Sequence, residues 1–415
     1  MRPRFTLATS VVIALFAVSA ATAAFAQSPA GPKAYIGLFK DNAIAVLDTS
    51  TNRLLTTIPI PPGPHGLVVT PDGRTVFASS DGDSKVSVID TATDSVRASI
   101  EVGKSPHGLA ITPDGRTVLA AVFGANGVVF IDTSSNQVLG KVAVPSPHNI
   151  ALTPDGRTAY VASQAKGALA LVIVDVRGMK KTGTVPLDRM PRALNVSPDG
   201  TKLYFTLAGS DAVQVLDIAS SAITGQVPVG SSPHHPLFDA RRGTVLVVSQ
   251  GPGVLTVIDS SKDAVKGTVR VGTLPHWIAI GPDGRFAYVT NEGSNDLSVV
   301  SLDTLSVVTT VPVGNAPRKI VVQPSGGAAS AVPLSTEISG FAFTDTIRVR
   351  AGQTVTWTNR DPVPHTVTSD DGLWDSGDIA AGGSFSHRFA VPGTYAYHCG
   401  YHPAMQAAVV VSAGS

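Results

Sequence analysis

The chain has 415 residues, too many for one ordinary domain and enough for two or three. Its formal net charge is +1 and charged residues make up 15%, below the roughly 25% of typical soluble proteins. No Lys/Arg run forms a basic patch, so nucleic acid is excluded as an expected partner. The 40 Gly and 30 Pro, with short apolar stretches rich in Val and Ile, point to short strands and tight turns rather than long helices.

In chain order, Arg2 and Arg4 precede an apolar run from about Leu7 through Ala20, and Ala24-Phe25-Ala26 stands before Gln27. Basic start, apolar middle and small-residue end predict a secretory signal peptide over 1–26. The run is short of the roughly 20 residues a membrane span needs. Pro3 separates the two arginines, which does not fit a twin-arginine signal, and no cysteine near the cleavage point could be acylated. The expected mature chain is exported, periplasmic or secreted, with no membrane span after signal cleavage.

From about Ala34 to Val322 the sequence repeats. The anchors are Pro64-His65, Pro106-His107, Pro147-His148, Pro191-Arg192, Pro233-His234, Pro275-His276 and Pro317-Arg318, spaced 42, 41, 44, 42, 42 and 42 residues apart. A period of 40 to 45 residues with four strands per unit is the signature of a β-propeller. After each anchor comes an apolar strand, then in five units a Pro-Asp-Gly turn, as in Pro113-Asp114-Gly115. Pro presets φ, Asp bonds its own backbone and Gly takes φ > 0, so the chain reverses. Third strands end at Asp48, Asp90, Asp132, Asp175, Asp217, Asp259 and Asp303.

Seven anchors and seven third-strand aspartates predict seven blades. Residues 34–60 have no anchor strand before them and Arg318–Val322 has nothing after it, so the last strand is expected to complete the first blade and hide its edges. Tyr288-Val289-Thr290-Asn291 and the Pro-Asp-Gly pattern resemble the YVTN family of seven-bladed propellers, which implies the fold over residues 33–323 and says little about function.

The stretch 324–334 is small, uncharged and rich in Gly, Ala and Ser, and reads as a linker. Beyond it, over 335–415, the period is lost. Strands are expected at Thr346–Val349, Thr354–Asn359, Thr366–Ser369, Ser384–Phe389, Thr394–His398 and Ala407–Val411, a compact β-sandwich. The expected fold class is all-β throughout: a seven-bladed propeller followed by a β-sandwich.

Cys399 is the only cysteine, so it forms no internal disulfide and is either free or bound to something. Outside the cytoplasm a free thiol is exposed to oxidation, which favours ligation. With His365, His402 and Met405 it makes two imidazoles, one thiolate and one thioether, the donor set of a mononuclear blue-copper site. Strand alternation puts Tyr395, Tyr397 and Cys399 on one face and Ala396 and His398 on the other. Cys399 can then face the interior while His398 points away. His387 reads as a plain surface strand residue.

Val355-Thr-Trp-Thr-Asn-Arg-Asp-Pro-Val-Pro-His365, Phe385-Ser-His-Arg-Phe389, Pro392-Gly-Thr-Tyr-Ala-Tyr397 and Cys399-x-x-His402-x-x-Met405 resemble a cupredoxin of the amicyanin and plastocyanin group. The resemblance implies one type 1 copper per chain, held by His365, Cys399, His402 and Met405 and cycling between Cu(I) and Cu(II). Relatives often carry Asn directly after the first His; this chain has Thr366, whose hydroxyl could steady the ligand loop less rigidly. His398 before Cys399 has the order found in copper nitrite reductases, but the position where those enzymes use a further His is Asp370.

Four protein ligands leave no open position for substrate, which points to electron transfer with the His402 edge as port. The expected partner is a redox protein such as a c-type cytochrome or periplasmic dehydrogenase, with the propeller as docking scaffold. The anchors supply the alternative. His65, His107, His148, His234 and His276 would ring one mouth of the channel with Arg192 and Arg318. Either Pro-His merely opens each blade, its ring bonded to nearby backbone, or the ring is a metal or substrate site of an oxidoreductase that exchanges electrons with the cupredoxin copper.

Overall fold

In a computed structural model the chain is described over residues 32–324, 334–344, 346–350, 353–389 and 393–412. The expected signal peptide over 1–26 and most of the expected linker lie outside the described residues.

Nine four-stranded sheets and one short 3-10 turn at Phe123–Ala125 make up the regular secondary structure of the described residues. Seven of them are propeller blades. The first is built from the strands Lys33–Leu38, Ala43–Asp48 and Arg53–Pro59, completed on its inner edge by Pro317–Val322. Ala34 pairs with Val322 and Ile36 with Ile320, so the two ends of the repeat close the ring as expected. The other six blades each run in sequence order from a strand that opens on an anchor proline, Pro64–Val69 being the first of these.

Burial follows position in the blade. The second strand of a blade, such as Thr75–Ser80, is buried along nearly its whole length because neighbouring blades cover both faces. That is why these strands read as near-continuous apolar runs, each fully buried Val or Leu contributing roughly 1.5–3 kcal/mol over exposure. The outermost strands, such as Ser95–Glu101, are largely exposed. In the Pro-Asp-Gly turn at Asp72 the carboxylate accepts from Thr70 Oγ1 at 2.5 Å and from the Arg74 N–H at 3.0 Å, while Gly73 takes φ 71°.

The C-terminal unit packs two sheets over one core. One sheet runs Ala342–Phe343, Leu334–Ser339, Thr354–Asn359, Ser384–Arg388; the other runs Ile347–Arg350, Gln406–Ser412, Gly393–His398, Thr368–Ser369. Trp357, Phe385, Phe389, Tyr397 and Val409 fill the space between them, and Trp357 Nε1 donates to Tyr397 Oη at 3.1 Å. The first strand, Leu334–Ser339, pairs in parallel with Thr354–Asn359 and was missing from the expected set. The two units touch where the Arg116 guanidinium lies 5.8 Å from the Phe385 ring centre.

His387 is not a plain surface residue. It stacks on Trp374 at 4.5 Å with an interplanar angle of 27° and meets Phe389 edge-on at 4.9 Å. Burial pushes its pKa down to about 4, against a smaller upward pull from Asp114 of the propeller.

Candidate metal centre

The strand Gly393–His398 delivers Cys399 at its end. Tyr397 and Cys399 are fully buried while Ala396 is exposed, so the alternation expected from the sequence holds. His398, on the other face, turns to the surface, where its Nδ1 meets Asp370 Oδ1 at 2.6 Å. The chain then makes a tight loop: the His402 N–H donates to Cys399 O, the Met405 N–H to His402 O, and the Cys399 N–H to Met405 O. These bonds hold three of the four sequence-selected residues in one turn.

His365 comes from the other direction. Its backbone exchanges hydrogen bonds with Ile379, and Asn359 Nδ2 donates to the carbonyls of Val363 and Ile379, fixing the approach segment. Cys399 Sγ lies 3.6 Å from His365 Nδ1 and 3.6 Å from His402 Nδ1. A trigonal ion about 2.3 Å from sulfur and about 2.0 Å from nitrogen would need S···N edges of about 3.7 Å. The donors therefore fit one metal. Met405 is buried beside them, and His365, Cys399 and His402 bring their ligand atoms within 4.8 Å of one another.

The surroundings hold the donors in place. Asp361 Oδ2 lies 3.0 Å from His365 Nε2, and the carboxylate also accepts from the N–H groups of Gly340 and Phe341. Those backbone bonds, joined by His365, hold its pKa below the usual carboxylate range. The Thr366 N–H points at Cys399 Sγ from 3.4 Å, and Thr366 Oγ1 accepts the Gly400 N–H at 2.7 Å. Phe341, an exposed residue, sets its ring edge-on to both imidazoles, 5.6 Å from His365 and 5.0 Å from His402. Neither Asp361 nor Phe341 was singled out from the sequence. Asp361, four residues before His365, could have been; Phe341 gives no local signal.

The model of the YNCE-like β-propeller family matches residues 16–111 and 108–337. The chain belongs to that family. To its propeller it adds a cupredoxin-like domain, matched over residues 329–411. There it is 38% identical over 73 residues to amicyanin-alpha of Methylorubrum extorquens, and 40% identical over 75 residues to amicyanin of Paracoccus denitrificans. Each match spans 16% of this chain, and the chain spans 61% and 56% of those relatives. These findings identify a blue-copper electron-transfer module attached to a YNCE-like propeller.

Solved structures extend the likeness of fold. A chain of Kuenenia stuttgartiensis hydrazine synthase matches with a TM-score of 0.61 at 20% identity, over 66% of this chain and 93% of that one. Dihydro-heme d1 dehydrogenase gives 0.56 at 16% identity over 73% and 77%. A functionally unknown protein from Desulfotomaculum acetoxidans gives 0.60 at 15% identity over 70% and 99%.

The propeller histidines also converge. Each anchor proline is followed by a register shift in the inner strand, as between Pro64 and Leu67, and such irregularities re-aim side chains. His65, His107, His148, His234 and His276 thereby line a cavity of ≈ 340 Å³ together with Arg192 and Arg318. His65 and His107 have ring centres 3.5 Å apart, His107 and His148 4.0 Å, and His234 and His276 4.0 Å. The His148 ring bonds Arg192 O at 3.2 Å, and the His107 and His234 rings interact with the backbone of His148 and His276; Nδ1 of His65, His107, His234 and His276 has no partner among the described residues.

Proposed function

We propose that this chain is an exported one-electron carrier in which His365, Cys399, His402 and Met405 would hold a single type 1 copper. The equal 3.6 Å spacing of Cys399 Sγ from the two Nδ1 atoms carries the proposal. Copper in such a site supplies a Cu(I)/Cu(II) couple without an open coordination position.

The protein's own groups prepare the site. Asp361 takes the His365 Nε2–H, which fixes the tautomer that offers Nδ1. The Thr366 N–H stabilises thiolate charge on Cys399. Exposed Tyr401, Pro403 and Ala404 surround half-buried His402, and Phe341 adds an apolar ring. This patch is the electron port, and its modest size suits a transient redox partner such as a c-type cytochrome or a periplasmic dehydrogenase.

The domain plan belongs to the same reading: a signal peptide over 1–26, a propeller over 33–323 that serves as docking scaffold, a linker over 324–334 and the copper domain over 335–415. Among the described residues no helix is long and apolar enough to cross a membrane.

Copper titration of the purified full chain tests the assignment. The expected result is an intense visible thiolate-to-copper absorption that vanishes in Cys399→Ser. Copper binding without that band, or a band that survives Cys399→Ser, would overturn it.

A further inference from the structure

Around the channel mouth the order is His65, His107, His148, Arg192, His234, His276, Arg318. The two arginines divide the five imidazoles into a triad and a pair. Within the triad, His65, His107 and His148 can each place one ring nitrogen within 4.8 Å of the others. We propose that His65, His107 and His148 hold a second metal ion in the propeller, a late first-row transition metal of which copper is the tightest-bound member.

Backbone packing pinches the triad together. Gly66 follows His65, and a Cβ there would meet His107 O at 2.2 Å; Gly108 follows His107, and a Cβ there would meet His148 O at 2.5 Å. These inner strands approach that closely only because both residues are glycine. Ser79 Oγ accepts the Gly66 N–H at 2.9 Å and donates to His107 O, anchoring the main chain of neighbouring blades.

The ring nitrogens are disposed as a metal would require. Nδ1 of His65 and of His107 is buried and unpartnered among the described residues. His107 Nε2 lies 3.5 Å from Asp81 Oδ2, the carboxylate–histidine arrangement typical of metal ligands. His148 Nδ1 sits 3.2 Å from Arg192 O, with Asn149 Nδ2 3.0 Å away; donation to that carbonyl leaves Nε2 as the ligand atom. Three nitrogens about 2.0 Å from one four-coordinate ion stand about 3.3 Å apart, so the rings, whose nitrogens lie within 4.8 Å of one another, need only draw in around the ion.

Charge agrees with this placement. Burial lowers the pKa of all three rings, joined by neighbouring imidazoles and Arg318 at His65 and His107 and by Arg192, Lys319 and Arg318 at His148. Neutral imidazole is the form that binds metal. Three protein ligands leave one position open toward a cavity lined by Arg192 and Arg318, so the fourth ligand is water or a small anion.

The site is independent of the cupredoxin copper, and one pair of variants separates them. Full-length Cys399→Ser, loaded with Cu(II) and dialysed, is expected to retain one copper per chain, with nitrogen couplings in its electron paramagnetic resonance spectrum. Adding His65→Ala, His107→Ala and His148→Ala should abolish that copper. The same three substitutions with Cys399 intact should leave the visible band unchanged, which also reports a folded chain. If that variant does not fold, His107→Gln alone in the Cys399→Ser background should weaken the residual copper at least tenfold. A folded Cys399→Ser chain that retains no metal, or residual copper that survives the histidine substitutions, would overturn the proposal. Loss of the visible band with the propeller copper retained would sink the type 1 assignment and leave this one standing.

Discussion

The Thr366 hydroxyl accepts the Gly400 N–H at 2.7 Å, tying the segment after His365 to the loop that begins at Cys399. Its oxygen also lies 3.0 Å from Thr368 Oγ1, so its direction is set. Thr366→Val keeps the shape and removes the acceptor. Gly400 is exposed, so water can partly replace the lost acceptor and the cost is that of one ordinary hydrogen bond, about 0.5–1.5 kcal/mol. The variant is expected to lose copper to a chelator up to about tenfold faster, followed through decay of the visible band; an unchanged rate would show that Thr366 does not brace the loop.

Asp361 does two jobs, orienting His365 and accepting from the Gly340 and Phe341 N–H groups. Removing such a carboxylate partner typically costs 10–100-fold in metal affinity. Asp361→Ala is therefore expected to weaken copper by about that factor in a competition titration, and Asp361→Asn by less, because its amide oxygen can still accept.

His387 makes the C-terminal unit sensitive to acid. Its folded pKa of about 4 lies below the unfolded value of about 6.5, so between those values the unfolded chain binds a proton that the folded chain refuses. The contribution is fully present above pH 6.5 and is lost as pH falls through 4. Its upper size is about 3 kcal/mol. Denaturant titrations at pH 7.5 and 4.5 should show a smaller difference for His387→Phe than for the parent chain.

Lys319 lies buried in the propeller with Nζ 3.7 Å from the centre of the Trp277 ring, and burial lowers its pKa to about 7. Its folded pKa is depressed from about 10.5, so the associated stability is present above that value and lost as pH falls through 7. Replacing this buried ammonium by an apolar side chain of similar length removes its desolvation penalty, which exceeds what its contact with the Trp277 ring returns. Lys319→Met should raise the propeller melting temperature at pH 6 and change it much less at pH 10.

Ring closure can be tested by truncation. A chain ending at Pro324 keeps the strand Pro317–Val322 and should fold into a closed propeller. One ending at Ala316 leaves the first blade with three strands and an open inner edge. It should show a broad, lower thermal transition and aggregate; equal melting of the two chains would contradict the closure.

The propeller was legible because its signals are local and repeated. Pro fixes a strand start, Asp and Gly fix a turn, and a 42-residue spacing makes each unit vouch for the next. Cys399, His402 and Met405 were legible for the same reason, lying within seven residues. What escaped was non-local. Leu334–Ser339 is rich in polar residues and is a strand because Thr354–Asn359 offers it a partner in parallel. His387 carries no mark of burial; the Trp374 ring that covers it arrives from a loop thirteen residues earlier. Phe341 reaches both copper-domain imidazoles only through a turn held by Asp361.

The pairing of Ala34 with Val322 also sets a timetable. The blade that is begun first is the last to be completed, because its inner strand is among the last propeller residues to be synthesised. Nearly the whole repeat must wait, with one exposed edge, for a contact of very large sequence separation, and such contacts form slowly. At about 5–20 residues per second the remaining ninety or so residues follow within some 5–20 seconds. The chain can thus have its copper ligands made before the propeller has finished closing.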